Sequence, residues 1–284
     1  MTRTLRALSA LALFGAAAAA QAAITCSVSV TAISVPYDPS VSGDTVRTGS
    51  YTISCTRLAA DANTLGWSLG ANDGQQPSGQ TNRAMLNGAY YNYELYRLAP
   101  YTNVNRWRDQ NASVRFSGTL NFGTSLTASQ SGPFDLRLGG PQTVQPAGIY
   151  TDLVTATLRN SATSVVLAQA AFAISVITSP TCVLSTPPGN VSFAYRSFQG
   201  TAASASTSFG VRCTTGLSYS MTLDTSSASL LGLSYSLSLS QASGSGNGTT
   251  QTYSVNGSMP AGQAGTCATA TCSASRVHTL MVTY

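Results

Sequence analysis

The 284-residue chain has no lysine, one glutamate (Glu94) and one histidine (His278), and charged residues make up only 8% of it. Long solvated helices draw on Glu and Lys for their exposed faces, so this composition argues against a helical protein. All fourteen basic residues are arginines scattered singly. Nucleic acid asks for a dense basic face, so no nucleic-acid partner is expected. One His and one Glu equip acid–base catalysis poorly, and no Ser-His-Asp order stands out. Paired carboxylates for glycoside hydrolysis would have to come from dispersed aspartates. The Gly244-Ser-Gly246-Asn-Gly248 stretch lacks the Lys-Ser/Thr and the flanking helix of a phosphate loop, and reads as a flexible hairpin loop. The chain is therefore read as a non-enzyme without catalytic residues, metal or cofactor, and His278 as a surface or edge histidine.

What the sequence does contain begins with an export signal over residues 1–22. Arg3 and Arg6 form its positive start, Leu8 to Ala20 its apolar stretch, and Ala20-Gln21-Ala22 a small-x-small cleavage site. No later segment is long enough to cross a bilayer. Six cysteines, at 26, 55, 182, 213, 267 and 272, fit an oxidising compartment.

An internal repeat organises the rest. Tyr37 precedes Cys55 by 18 residues, and Tyr195 precedes Cys213 by the same 18. Tyr51-Thr-Ile53-Ser-Cys55-Thr56 lines up with Phe209-Gly-Val211-Arg-Cys213-Thr214, and Pro146-Ala-Gly148 with Pro260-Ala-Gly262. Two homologous units follow, over 23–178 and 181–284, joined by Thr178-Ser-Pro-Thr181. The repeat pairs Cys26 with Cys55 and Cys182 with Cys213, leaving Cys267 and Cys272 to close a small local loop. Each long bridge closes about 30 residues, worth roughly 3–4 kcal/mol in the chain-entropy model. The spacing lacks the paired C-x-x-C elements of a zinc site.

Both units read as β. Leu233-Ser-Tyr235-Ser-Leu237-Ser-Leu239 alternates one apolar with one hydroxyl face, and Tyr91-Asn-Tyr93-Glu-Leu95 is its counterpart. Short strands divided by Gly, Pro, Ser and Asn clusters imply an all-β chain of two immunoglobulin-like antiparallel sandwiches. The units end differently. In the first, Tyr150 to Leu158 is followed by Val165 to Ile177, an alanine-rich run whose Val166, Ala168, Ala170, Phe172, Ile174 and Val176 share one strand face. In the second, His278-Thr-Leu280-Met-Val282-Thr-Tyr284 matches Asp152 to Leu158 and nothing matches the run after it. The second sandwich is thus expected to lack its final strand, and an incomplete sandwich with an unpaired edge invites a strand from another chain.

Arg83-x-Met85, Tyr93-Glu-Leu95-Tyr96, Trp107, Pro146-Ala-Gly148-x-Tyr150-x-Asp152, the paired Cys-to-Cys-Thr segments and the terminal Val-Thr-Tyr284 together resemble the spore coat protein U domain family. That family includes subunits of archaic chaperone–usher pili. The resemblance implies a periplasmic chaperone, an outer-membrane usher and a strand-donating pilin as partners. It also implies passage through the periplasm to the cell surface. A groove over Phe193, Tyr195, Phe209, Val211, Leu280, Val282 and Tyr284 would take the donated strand. Only Ala23, Ile24 and Thr25 stand between the cleavage site and Cys26, against about a dozen residues for a donor strand. This suggests a subunit that accepts without donating, a two-domain tip adhesin.

The first unit is the enlarged copy, about 152 residues from Cys26 to Ile177 against 103 from Cys182 to Tyr284. Its extra length falls in loops, where recognition usually resides. If connections simply reverse strand direction, the loops near 57–66 and 98–112 point outward together, carrying Leu58, Leu65, Tyr101, Val104 and Trp107 beside Arg106 and Arg108. The resemblance implies apolar fingers that stick to abiotic or host surfaces and support biofilms; Trp67 and Trp107 read equally as core residues. Two rivals remain open: a secreted coat or matrix protein that assembles without a pilus, and a carbohydrate-binding protein whose Tyr90–Tyr101 segment stacks on sugars.

Overall fold

The computed structural model describes residues 24–284; the export signal lies outside the described residues. Alternation becomes strand throughout. The first unit holds β1 (Thr25–Val30), β2 (Ile33–Pro36), β3 (Thr45–Thr56), β4 (Thr64–Ala71), β5 (Asn82–Leu86), β6 (Ala89–Tyr96), β7 (Phe116–Asn121), β8 (Thr127–Leu138), β9 (Gly148–Asn160) and β10 (Val166–Thr178). The second holds β11 (Cys182–Thr186), β12 (Ala203–Cys213), β13 (Ser218–Leu223), β14 (Ser227–Leu230), β15 (Leu233–Leu239), β16 (Ser243–Ser245), β17 (Thr250–Met259) and β18 (Leu280–Thr283). The Gly244–Gly248 stretch is therefore not simply a loop: its start is β16, paired with β13.

In the first unit β1, β3, β8 and β6 form one layer, and β2, β10, β9, β4 and β7 the other. The β5–β6 hairpin joins the layers along one side. Pairing is antiparallel except between β10 and β2, which run parallel because the chain switches sheets after β1. The second unit stacks β11-β12-β17-β15-β14 on β16-β13-β18. Each unit has its own hydrophobic cluster, one drawn from Ile24 to Val176 and one from Cys182 to Val282.

All three disulfides join the expected partners: Cys26–Cys55, Cys182–Cys213 and Cys267–Cys272. The first two link facing residues of neighbouring strands, β1 to β3 and β11 to β12.

Trp107 and Leu65 do not lie on the surface. Trp107 is 1% exposed and packs between Phe116, Phe134 and Phe172, its indole N–H donating to the Leu69 carbonyl at 2.9 Å. Leu65 sits on the inward face of β4. An inserted loop needs an anchor, and Trp107 is that anchor: large, apolar and able to satisfy its one donor. Tyr91, Tyr93 and Tyr96 are buried too, which leaves the tyrosine-rich segment without those rings for sugar stacking.

The alanine-rich run forms β10, and Phe172, Ile174 and Val176 enter the space between the two layers. Phe172 lies flat on Trp107, at 5.9 Å between centroids and 13° between planes. Truncating such a side chain loses its transfer energy and leaves a cavity. Phe172→Ala is expected to cost about 3–5 kcal/mol in chemical unfolding, whereas Val165→Ser, on the adjoining exposed loop, stays within about 0.5 kcal/mol. Equal effects from the two would show that β10 does not close the core.

Candidate functional site

The repeat allows one surface of the two units to be compared residue by residue. In the first, Ile33, Val35 and Tyr37 lie along β2, at most 4% exposed, and Val154, Ala156 and Leu158 of β9 are completely buried. Strand β10 covers both sets. In the second unit the counterparts Val191, Phe193 and Tyr195 are half-exposed on an extended segment that joins no sheet. Leu280 and Val282 of β18 are likewise half-exposed, and Tyr284 is 58% exposed. Among the described residues β18 pairs only with β13, so its other edge is open.

Tyr235 stands between these walls. Its ring lies 6.1 Å from that of Phe193, and its hydroxyl is 2.6 Å from Nε2 of His278, which leads into β18. Phe209 and Val211, expected to line the groove, are instead sealed beneath it. They occupy inward positions of β12, an inner strand between β11 and β17, and face the other layer.

His278 is half-buried where the chain enters the edge strand β18, in keeping with an edge histidine. It replaces Asp152 of the first unit, whose carboxylate accepts from Tyr93 at 2.6 Å and from the backbone N–H groups of Gln75 and Leu153. In the second unit Tyr235 takes the place of Tyr93, and the second ring nitrogen of His278 lies 3.0 Å from Asp224. The His278 hydrogen bond is the leading cause that holds the Asp224 carboxyl below the usual Asp range.

A second site lies at the other end of the molecule. Strands β3 and β8, β4 and β7, and β9 and β10 all turn at the end of the first unit away from the linker. Three short loops meet there, over residues 57–63, 122–126 and 161–165, and expose Leu58 (61%), Leu126 (48%) and Val165 (60%). Arg57 fixes two of them. Its guanidinium is buried and donates to the carbonyls of Ser125, Asp61 and Gly123, over the ring of Phe122.

The loop over 98–112 is not part of this end. It lies along the flank, where Tyr101 is half-buried with its hydroxyl donating to Asp135, while Val104 remains 70% exposed. Ion pairs of Glu94 with Arg106 and Arg108, and of Asp109 with Arg115 and Arg159, hold it. Sequence reasoning missed Leu126 and Val165, because their loops are short turns between long strands and carry no length signal of their own.

The family model of the Spore Coat Protein U domain matches residues 10–157 and 168–242. The chain belongs to the Spore Coat Protein U domain family. No curated protein matches it. Among solved structures, this spore coat U chain is similar to the CsuC–CsuE chaperone–tip adhesion subunit pre-assembly complex from archaic chaperone–usher Csu pili of Acinetobacter baumannii. The match has 16% identity and a TM-score of 0.47, and covers 92% of this chain and 100% of that one. It is also similar to the CupB6 tip adhesin of Pseudomonas aeruginosa, at 11% identity and a TM-score of 0.40, covering 86% and 90%. A third is the CssB subunit complemented with a donor strand from CssA, of the enterotoxigenic Escherichia coli colonization factor CS6. There the identity is 17% and the TM-score 0.32, covering 54% and 97%.

In this spore coat U protein the Asp224–His278 contact stands at the start of β18, so acid is expected to loosen that edge. A carboxyl with a depressed folded pKa contributes stability above the ordinary Asp value near 4 and loses it as pH falls through the lower folded value. The thermal midpoint of the second unit is expected to drop as pH falls below the ordinary Asp range near 4, and Asp224→Asn to flatten that slope. Identical slopes in both proteins would show that the pair does not tie β18 down.

Proposed function

We propose that the protein is the tip adhesin of a chaperone–usher pilus. Its second sandwich accepts a strand from a neighbouring pilin, and the far end of its first sandwich contacts a surface. One observation carries this reading: the positions that β10 buries in the first unit lie half-open in the second, beside an unpaired strand edge. An extended segment there gains backbone hydrogen bonds from β18, and its alternate side chains fill the space between the layers. A periplasmic chaperone would cover the same groove before assembly, and an outer-membrane usher would exchange it for the pilin strand.

Adhesion is assigned to Leu58, Leu126 and Val165. Exposed apolar residues gathered at one extremity mark a contact surface, and the Arg57 cross-link means that little loop entropy is lost on contact. The cluster carries no exposed aromatic ring, which favours abiotic or host surfaces of low polarity over a stacked sugar and suits a role in biofilm formation. Three disulfides agree with an exported protein. No helix among the described residues is long and apolar enough to cross a membrane.

Two measurements test the two halves of the reading. Fusing an alternating apolar donor peptide behind Tyr284 is expected to give a soluble monomer whose second unit melts at least about 5 °C higher, the response to about 1 kcal/mol in a domain of this size. An unfused protein that is equally monomeric and stable defeats the open groove. Separately, the triple change Leu58→Ser, Leu126→Ser, Val165→Ser should abolish retention on polystyrene while leaving the melting profile unchanged. Retention at the wild-type level would place the contact surface elsewhere.

A further inference from the structure

Two large apolar side chains project from the end of the second unit opposite the linker, both from backbone that such residues rarely adopt. Phe198 has φ +59° and is 73% exposed. Leu231 has φ +50° and opens the two-residue turn between β14 and β15, followed by Gly232 at +71°. A turn with positive φ at both central residues ordinarily takes Asn or Asp before Gly. A left-handed conformation in a bulky residue is strained and persists only where its surroundings impose it.

Here they do. Phe198 N–H donates to the Gln263 carbonyl at 2.8 Å, Gly262 N–H to Gln199 at 2.9 Å, and the Ser197 hydroxyl to Ala264 at 2.6 Å. The same 262–266 segment reaches Leu231, whose carbonyl accepts from Thr266 N–H at 2.7 Å. Both side chains are thus held in solvent by one hydrogen-bonded frame. Among residues 196–201, 231–232 and 260–266 the only charge is Arg196. Apolar anchors within an uncharged polar rim are the composition of a protein–protein contact.

The first unit indicates what would sit there. Tyr37 and Tyr195 are counterparts, so loop 38–43 corresponds to 196–201, and the segment after β8 to the segment after β17. At that end of the first unit β10 leaves the space between the layers, and only Ser179, Pro180 and Thr181 separate it from the next sandwich, which begins at Cys182. That sandwich touches the end it has just left. Val144 is buried, and its carbonyl accepts from the Thr215 hydroxyl at 2.9 Å. The same carbonyl lies so close over Gly248 that a Cβ there would run into it. A strand that fills one sandwich therefore delivers the following sandwich onto that same end.

We infer that the Phe198–Leu231 end of the second unit is the seat of the neighbouring subunit's own sandwich, delivered there by the donated strand, with Phe198 as its anchor. This rests on the strand-acceptor reading and extends it from a groove to a second contact on the same partner.

The test uses pili assembled by cells that produce the full chain, with p-benzoylphenylalanine replacing either Phe198 or Tyr284. Both side chains are exposed, so folding is not at stake. The expected result is photocrosslinking of both positions to the same subunit. The adduct at 284 should map to its N-terminal segment, and the adduct at 198 to its folded body. Crosslinking from 284 alone, or to a chaperone alone from 198, overturns the seat and leaves the strand reading standing. No adduct from either position removes the strand reading and the seat with it. In parallel, Phe198→Ser should make the chain leave sheared pili roughly tenfold to a hundredfold faster. Its affinity for a synthetic peptide of residues 166–178, which probes the groove alone, should not change. Release at the wild-type rate would also overturn the seat.

Discussion

The burial of one strand's apolar face between two facing sheets is the constraint on which the rest of this molecule depends. In the first unit Phe172, Ile174 and Val176 of β10 enter that space and contact both layers. Because β9 and β10 are consecutive, the loop to be closed between them is short and its entropic cost small. The unit is complete without help, and its turns are free to serve as contact surfaces. The second unit repeats the disulfide, the tyrosine hydrogen bond to the carbonyl just after the long strand (Tyr195 to Pro260 at 2.8 Å, as Tyr37 to Gly139 at 3.0 Å) and the long strand pair, but has no equivalent of β10 among its described residues. The walls that β10 covers in the first unit stay half-exposed in the second.

The distribution of charge follows from this division. Eight of the nine acidic residues lie before residue 153, and most are paired with arginines or hydroxyls at the margins of the first core. The inserted 97–115 segment cannot be held by ladder hydrogen bonds alone. Arg97 donates to the carbonyls of Arg115 and Val104 instead, while Glu94 bridges Arg106 and Arg108. Burial is the leading influence on Glu94, and it pushes this carboxyl above its ordinary range, although the two arginines pull it down. Arginine suits such work because its planar fork meets several acceptors at once and stays charged when buried.

Much of the fold was legible in the sequence because the two copies check each other. Equal Tyr-to-Cys spacings predicted the two long disulfides, and alternation predicted β15, β6 and β10 despite the alanine content of the last. Legibility failed where one copy has no counterpart. Nothing in the sequence opposes Trp107 in the second unit, so its burial depended on aromatic packing that spacing does not reveal. Leu65 follows a loop closely enough to be read with it, although two residues into a strand the inward face already begins. The exposed apolar residues at the outer end were only partly legible, since Leu126 and Val165 sit in short loops that strand direction alone brings to the same end. The edge position of His278 was legible, but its partners were not, because Tyr235 of β15 and Asp224 of the turn after β13 converge on it only in the fold.

An incomplete sandwich must avoid two failures, unfolding outright and collapsing so that its opening disappears. Against the first, the Cys182–Cys213 bridge ties the edge strand β11 to its neighbour β12 and limits the entropy of the unfolded chain. Against the second, the walls are propped rather than merely left apart. Phe193 rests on Gly257, where a Cβ would collide with the ring, so the segment over 191–195 lies low against β17 and is kept from swinging across the gap. On the other side Tyr235 of β15 and Asp224 of the turn after β13 hold His278 from two directions, which fixes where β18 begins. Replacing the Asp152 of the first copy by His278 in the second exchanges a carboxylate satisfied locally by backbone N–H groups for a ring that must be gripped from both sides. That exchange places a brace at the strand which, in the complete copy, is braced by β10.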